Sequence, residues 1–269
     1  MKERYYYSIG SGSSGNCGLY VCGDTAVLID LGVSVRRVTA ALRRRGLEFA
    51  DLAGILITHE HNDHIKGLAT YVKKHHVPLY ASRGAAEMIA RREPGALPLL
   101  RPFWGGESFS VGGLQVESFL TPHDSPESVG YVFRSGEDSF GYATDLGFVP
   151  SPVRQKLLGC SAVVLESNHD LTMLETGPYP YILKQRVAGP RGHLSNVDCA
   201  ACAVELVKNG TKTLILAHLS EENNRPALAK RETEEAVAGV GSCRVFVAPK
   251  NEMDGPVWLS EEGQCSLFA

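Results

Sequence analysis

A chain of 269 residues that is 43% hydrophobic, 21% charged and 8% aromatic has the composition of a packed globule, which excludes a disordered, collagenous or low-complexity protein. The net charge of −3 hides an asymmetry: residues 1–101 hold 14 Lys+Arg against 9 Asp+Glu, and the remainder 13 against 21. The longest apolar runs, such as Thr213 to Ala217, fall far short of the roughly 20 residues that cross a bilayer, so no membrane helix is expected. The N-terminus, Met1-Lys2-Glu3-Arg4-Tyr5-Tyr6-Tyr7, lacks the apolar core of a secretory signal, and the cytoplasm is the expected compartment.

The chain opens with a strand pattern at Tyr5 to Ile9 and the loop Gly10-Ser11-Gly12-Ser13-Ser14-Gly15-Asn16. A hairpin comes next, Leu19 to Cys22 and Ala26 to Asp30 around Gly23-Asp24. A helix is predicted from Ser34 to Arg45, with Gly46 as its C′ residue. Ala53 to Ile57 is a short continuous apolar run, the signature of a strand buried on both faces. Helical periodicity then covers Ile65 to Lys74, a strand Pro78 to Ala81, and a helix Ala85 to Arg92. From Arg101 to Ala143 the pattern is β-dominated, with hairpin signals at Gly112-Gly113 and Gly136-Glu137-Asp138. The remainder alternates: helices at Pro152 to Leu158, Asn196 to Lys208 and Pro226 to Ala238, strands at Ala162 to Leu165, Thr213 to Leu216 and Arg244 to Ala248.

No composition break, linker or internal repeat divides the chain, so one domain over residues 1–269 is expected. β-rich halves interrupted by helices predict an α/β fold in which two sheets pack together with helices outside, a four-layer sandwich. The odd count of seven cysteines shows no paired framework, and reduced thiols are expected. Cys199-x-x-Cys202 lies inside an apolar helical pattern without a second pair, which favours packing over a redox or metal role. The run Arg36, Arg37, Arg43, Arg44 and Arg45 has two readings, a solvated helix face or a phosphate-contacting surface.

The most informative segment is Thr58-His59-Glu60-His61-Asn62-Asp63-His64, directly after an apolar strand. Strand ends are where open α/β folds place their chemistry. His59 and His61 can point the same way from an extended loop end, while Asp63 and His64 begin the next helix. Imidazoles and a carboxylate so close need partners or a cation to offset desolvation. Further candidates come after other apolar β runs: His123 in Leu120-Thr121-Pro122-His123-Asp124, Asp145 in Gly141-Tyr142-Ala143-Thr144-Asp145, and His218 after Leu214-Ile215-Leu216-Ala217. With His59, His61 and His123 on one ion, Asp63, His64 and His218 on the other, and Asp145 bridging, each of two divalent ions has three private ligands and one shared. Mixed N/O ligation without Cys fits Zn²⁺, Mn²⁺ or Fe²⁺. Thr58 and His169 are placed beside the ligands, and Asp63 counts as a catalytic carboxylate as well as a ligand.

His-x-His-x-Asp-His after a strand, then a lone His, a lone Asp and a last His at strand ends, resembles the metallo-β-lactamase superfamily over residues 5 to about 250. The resemblance implies an αββα sandwich of two mixed β-sheets with external helices. It also assigns Asp30 to that superfamily's first motif, a carboxylate that orients the metal loop. Together with Asn168-His169-Asp170, Gly192-His193-Leu194-Ser195-Asn196 and His218-Leu219-Ser220, the Gly/Ser loop resembles the bacterial YycJ/WalJ branch, described as DNA exonucleases acting on 5′ ends, and the related PhnP phosphodiesterases.

The ligands alone imply hydrolysis: a water shared by two cations is acidified and attacks an electrophile, be it a lactam, thioester, lactone or phosphodiester. By resemblance to the phosphodiesterases, His193 would protonate the leaving alkoxide, a poor leaving group that needs a general acid. Arg191 could stabilise phosphate charge. Ser13, Ser14 and Asn16 could cradle a phosphate or simply close a hairpin, and Ser195 or Asn196 could touch substrate or cap the next helix. The leading expectation is a metal-dependent phosphodiesterase working on DNA ends, against a small-molecule or cyclic phosphodiesterase and a thioesterase or lactonase.

Overall fold

The computed structural model describes residues 3–136 and 138–259. Met1 and Lys2, Glu137 of the expected hairpin, and Cys265 lie outside the described residues. The chain divides into two compact units, one built from residues up to Val116, Ser125–Glu127 and the stretch from Pro249 on, the other from Glu117–Asp124 and Ser128–Ala248.

The first unit carries β1 (Arg4–Gly10), β2 (Cys17–Cys22), β3 (Thr25–Ile29), β4 (Leu52–Ile57), β5 (Leu79–Ser82), β6 (Leu100–Phe103) and a late strand, β14 (Val257–Trp258). These form a seven-stranded sheet in the order β14-β1-β2-β3-β4-β5-β6. Pairing is antiparallel from β14 to β3 and parallel from β3 to β6, so the carboxyl ends of β3 to β6 share one edge. That mixture reflects connection length: the tight turn at Gly23-Asp24 allows only an antiparallel return, whereas helices between the later strands supply parallel crossovers. The crossover α1 (Val35–Arg44) starts at Ser34, whose Oγ accepts from the Arg37 N–H. It ends before Gly46, at φ 71°. Val35, Val38, Ala41 and Leu42 make its buried face. Fully burying a side chain such as Leu42 is worth about 1.5–3 kcal/mol.

The predicted helix from Ile65 to Lys74 is instead two short helices, α2 (Asn62–Ile65) and α3 (Leu68–Tyr71). Gly67 separates them because backbone approaches it there: its N–H donates to the Leu31 carbonyl at 2.9 Å, and a Cβ would lie 2.5 Å from the Val33 carbonyl. The helix α4 (Arg83–Arg92) joins β5 to β6. One continuous apolar core fills this unit, centred on Ile9, Leu19, Leu28, Ile55, Ile57 and Leu79.

The second sheet has the order β13-β12-β11-β10-β9-β8-β7. Its strands are β7 (Ser108–Val111), β8 (Leu114–Leu120), β9 (Val129–Ser135), β10 (Asp138–Ala143), β11 (Ala162–Glu166), β12 (Thr213–Ala217) and β13 (Arg244–Val247). β10 to β13 run parallel and β9 pairs antiparallel with β10, so this sheet is mixed as well. Helices α5 (Ser151–Leu157), α8 (Asn196–Lys208) and α9 (Pro226–Val237) correspond to predicted ones. Two more, α6 (Leu171–Thr176) and α7 (Tyr181–Val187), are not legible in the sequence pattern: each is at most seven residues long and Pro178 and Pro180 stand between them. A second apolar core, with Val163, Leu165, Leu206, Leu214 and Leu216, fills this unit. The α/β class with two mixed sheets and flanking helices is thus the one expected. Among the described residues no helix is long and apolar enough to cross a membrane.

The described cysteines are free thiols. Cys199 and Cys202 are buried on α8. Burial pushes the Cys202 thiol up to about 12 and Cys199 higher still, which suits packing and not redox chemistry.

Candidate metal centre

In the first unit the donor loop grows from the carboxyl end of β4, and a buried carboxylate from the neighbouring strand holds it. Asp30 comes directly after β3 in left-handed backbone, φ 62°, a conformation that L residues rarely adopt. Its Oδ1 accepts the Thr58 N–H at 2.8 Å, and the Thr58 hydroxyl lies 3.0 Å from Oδ2. Nδ1 of His64 stands 2.8 Å from the same Oδ2. Burial pushes the Asp30 carboxyl above its usual range, with the His64 charge and the His64 and Thr58 hydrogen bonds pulling it down. A proton on His64 Nδ1 suits this carboxylate, which leaves Nε2 with a lone pair for a cation. The Thr58 hydroxyl also lies 3.0 Å from His59 Nδ1, turning that ring in the same sense. The rings of His59 and His64 pack at 4.1 Å between centroids, and those of His59 and His61 at 4.5 Å. Asp63 Oδ2 is 3.4 Å from His64 Nε2.

The Gly/Ser loop between β1 and β2 serves this cluster. Asn16 is buried; its Oδ1 accepts the Gly12 N–H at 2.8 Å, and its side-chain amide lies 3.0 Å from His64 Nε2 and 3.3 Å from Asp63 Oδ2. Gly32 lets the same segments meet, since a Cβ there would fall 1.6 Å from the Asp63 carbonyl oxygen. The Asn16 amide thus ties the Gly/Ser loop to the metal loop, while its Oδ1 holds the loop's own backbone. Ser13 and Ser14 are exposed.

In the second unit Asp145 and His218 lie just past β10 and β12 in left-handed backbone, φ 59° and 56°. Asp145, Glu166, His193 and His218 each offer a ligand atom within 4.8 Å of the others. Asp145 Oδ1 is 3.6 Å from His218 Nε2, 3.6 Å from His193 Nδ1 and 3.7 Å from His123 Nε2. His123 Nδ1 lies 3.1 Å from the Gly192 carbonyl, which fixes the tautomer that aims Nε2 at Asp145. Burial holds the His123 ring below the ordinary imidazole range, against the pull of Asp145, so it is neutral and able to ligate at neutral pH.

Glu166, the last residue of β11, is absent from the sequence-derived candidates and organises this half. One oxygen, Oε1, lies 2.8 Å from His193 Nδ1 and 3.0 Å from His218 Nδ1; the other accepts the Leu146 and Leu194 N–H groups at 2.7 and 3.2 Å. Burial opposes its ionisation, but the His193 charge and the hydrogen bonds from both imidazoles hold its carboxyl below the usual range. The Asn168 side-chain amide donates a hydrogen bond to the His218 carbonyl at 2.8 Å. The available signal is position: Glu166, like Asp30 and Asp145, is a lone acid at the end of an apolar strand. His169 is buried and its Nδ1 has no hydrogen-bond partner among the described residues; its backbone carbonyl accepts from Asn196 N–H, and burial lowers its ring's proton affinity.

Several substrate candidates turn out to be structural. Ser195 caps α8, its Oγ accepting the Asp198 N–H at 3.1 Å. Asn196, 0% exposed, bonds Ser167 and Asn224 at 2.7 and 3.0 Å and cannot meet a substrate. Arg191 is exposed, with Nε donating to the His123 carbonyl at 3.2 Å. The basic run on α1 is mostly spent on its own unit. Arg44 pairs with Glu252, Arg45 covers the Tyr7 ring at 5.1 Å and Arg37 reaches the Lys250 carbonyl, which leaves Arg36 and Arg43 exposed.

The donor set is oxygen and nitrogen only, with a carboxylate on the Nδ1 of His64, His193 and His218, which fits a divalent cation of borderline character. The chain belongs to the metallo-β-lactamase superfamily: the family described as Beta-lactamase superfamily domain matches residues 25–219. It is a metal-dependent hydrolase. Within the superfamily it is similar to exodeoxyribonuclease YycJ of Bacillus anthracis, 36% identical over 245 residues that cover 88% of this chain and 92% of the relative. Exodeoxyribonuclease WalJ of Streptococcus pneumoniae is 33% identical over 243 residues, 88% of this chain and 90% of the relative. Among solved structures, the metallo-β-lactamase fold protein YhfI from Bacillus subtilis superposes with a TM-score of 0.71 at 16% identity, over 94% of this chain and 100% of that one, a likeness of fold alone.

Proposed function

We propose that the chain is a dinuclear metal-dependent phosphodiesterase that removes nucleotides from the 5′ ends of DNA. The observation that carries the reading is the His193–Glu166 pair at 2.8 Å beside Asp145. The His193 side chain is 22% exposed, the most open ring of the second unit's donor group. A buried carboxylate accepting from Nδ1–H supports the doubly protonated ring, whose Nε2–H would go to the departing sugar oxygen. Phosphodiesters need such an acid far more than strained amides do. The names of the two relatives, exodeoxyribonucleases, support DNA as substrate, and 5′-to-3′ polarity rests on the resemblance to their branch.

His59, His61 and His123 would hold one ion, Asp63, His64 and His218 the other, with Asp145 shared. Zn²⁺ or Mn²⁺, and also Fe²⁺, suit these donors. Such ions supply Lewis-acid stabilisation of phosphoryl charge and activate water. The two units would then act as one catalytic domain, a reading supported by a family match that runs through both. Arg191, exposed and bonded to the His123 carbonyl, would offset charge on the phosphate. A DNA substrate fits a cytoplasmic enzyme.

The test is His193→Ala. It should cut hydrolysis of DNA about 10²–10⁴-fold while metal content stays unchanged; loss of metal instead would make His193 a ligand. One observation favours a smaller phosphodiester: the α1 arginines engaged within their own unit offer less free charge to a long polyanion. Activity on cyclic nucleotides but not on DNA would decide for it.

A further inference from the structure

The carboxyl edge of the first sheet carries a second feature. β4, β5 and β6 are parallel neighbours, so the residues just past their carboxyl ends lie along one edge. Those positions hold Thr58 and His59 after β4, Arg83 after β5 and Trp104 after β6. At about 4.8 Å per strand, the last is some 10 Å from the metal loop's strand. The Arg83 guanidinium stacks over the Trp104 ring at 4.4 Å. Trp104 is 55% exposed and Leu97 beside it 58%, along a groove of about 900 Å³ that Pro126 also lines.

A carboxylate clip holds the pair in place. Glu127 accepts the Gly84 N–H on one oxygen and the Gly105 N–H on the other, both at 2.7 Å, tying together the residues next in sequence to Arg83 and Trp104. The Ser82 hydroxyl, at the start of α4, donates to the Glu127 carbonyl at 2.5 Å. The groove's two carboxylates are thereby committed, Glu127 to backbone and Glu87 to Arg91 at 2.5 Å. Among the described residues Arg83 has no carboxylate partner, so the groove presents an aromatic face beside one uncompensated cation.

We infer that this groove seats an unpaired nucleotide of the DNA strand entering the site, its base stacked on the Arg83–Trp104 pair and its phosphate against Arg83. This rests on the proposed nuclease reading. An aromatic ring with a stacked guanidinium is the sequence-tolerant platform that single strands use, since every base has a π-face. The groove lies on the sheet edge that also carries the metal loop.

The test uses the full-length, metal-loaded protein with two substrates, 5′-end-labelled DNA bearing a single-stranded overhang and the small diester bis(p-nitrophenyl) phosphate. Trp104→Ala should raise KM for DNA about tenfold or more, with kcat and the small-diester rate unchanged, and Trp104→Phe should restore most of the affinity. Arg83→Ala should lower the slope of log KM against log salt by about 0.7, one phosphate contact. If Trp104→Ala fails to fold, Trp104→Phe and Arg83→Ala carry the test: unchanged KM and salt slope in Arg83→Ala overturn the inference. A wild-type protein that cuts DNA with a KM indifferent to Trp104→Ala overturns it while leaving the nuclease reading intact. So does an altered sedimentation coefficient with unchanged KM, which would assign the face to a protein partner. A wild-type protein that hydrolyses the small diester yet neither binds nor cuts DNA overturns both.

Discussion

The two donor sets of this chain are built in opposite ways. In the first unit four candidate ligands sit within six residues after one strand, and a single buried acid, Asp30, anchors one of them, His64. In the second unit the donors come from the ends of separate strands and from the loop before α8, and one acid, Glu166, anchors two imidazoles at once. The local set is a motif; the dispersed set is a topology. Their common ground is physical: an acid closes an apolar strand, and left-handed backbone at Asp30, Asp145 and His218 turns each side chain out of the strand direction.

The contrast can be broken at several strengths. The largest effect should come from removing a ligand of either set. Asp63→Ala and Asp145→Ala should each lose metal and lower kcat about 10⁴-fold, the scale of several kcal/mol of Lewis-acid stabilisation; quantitative metal analysis beside rate measurements checks it. Retained metal and activity in Asp145→Ala would mean that the dispersed set is not a ligand set. Next comes the difference between the anchors. Glu166→Gln should reduce activity about 10–100-fold, because it releases His193 and His218 together. Asp30→Asn, which releases one directly bound imidazole, His64, together with the Thr58 bonds, should act mainly on metal affinity. Equal effects on both readouts would erase the distinction.

Smaller still is the change with acidity. Metal and activity should fall together as pH drops, since ligating imidazoles must be unprotonated; a metal titration at stepped pH tracks it, and full metal retention with loss of rate would contradict it. The smallest effect belongs to Ser195→Ala, which removes the α8 cap and should cost about 1 kcal/mol in thermal unfolding without moving KM. A raised KM would return Ser195 to the substrate surface.

The asymmetry also explains how much of the site is legible in sequence. His59 to His64 stands out because one loop after one buried strand carries all its donors. His123, Asp145 and His218 are legible only as lone polar residues closing apolar runs. Glu166 fits that rule, directly after the predicted strand Ala162 to Leu165, but the imidazoles it anchors, His193 and His218, lie far along the chain. The Ile65 to Lys74 helix fails because periodicity does not see a backbone approaching Gly67 from Leu31 and Val33. Ser195 and Asn196 offer polar groups in sequence, whereas a cap and a buried amide network consume those groups in the fold. The arginines of α1 look free in sequence because Glu252 and Tyr7, which occupy two of them, lie far away along the chain.

The central claim is a metal-dependent attack on DNA ends, and digestion of 5′-end-labelled duplex DNA before and after exhaustive chelation tests it most directly. The account predicts labelled mononucleotides from the metal-loaded protein, none after chelation, and recovery on adding Zn²⁺ or Mn²⁺. Full activity after chelation, or cleavage of a thioester or lactone with no nucleotide released, would contradict it.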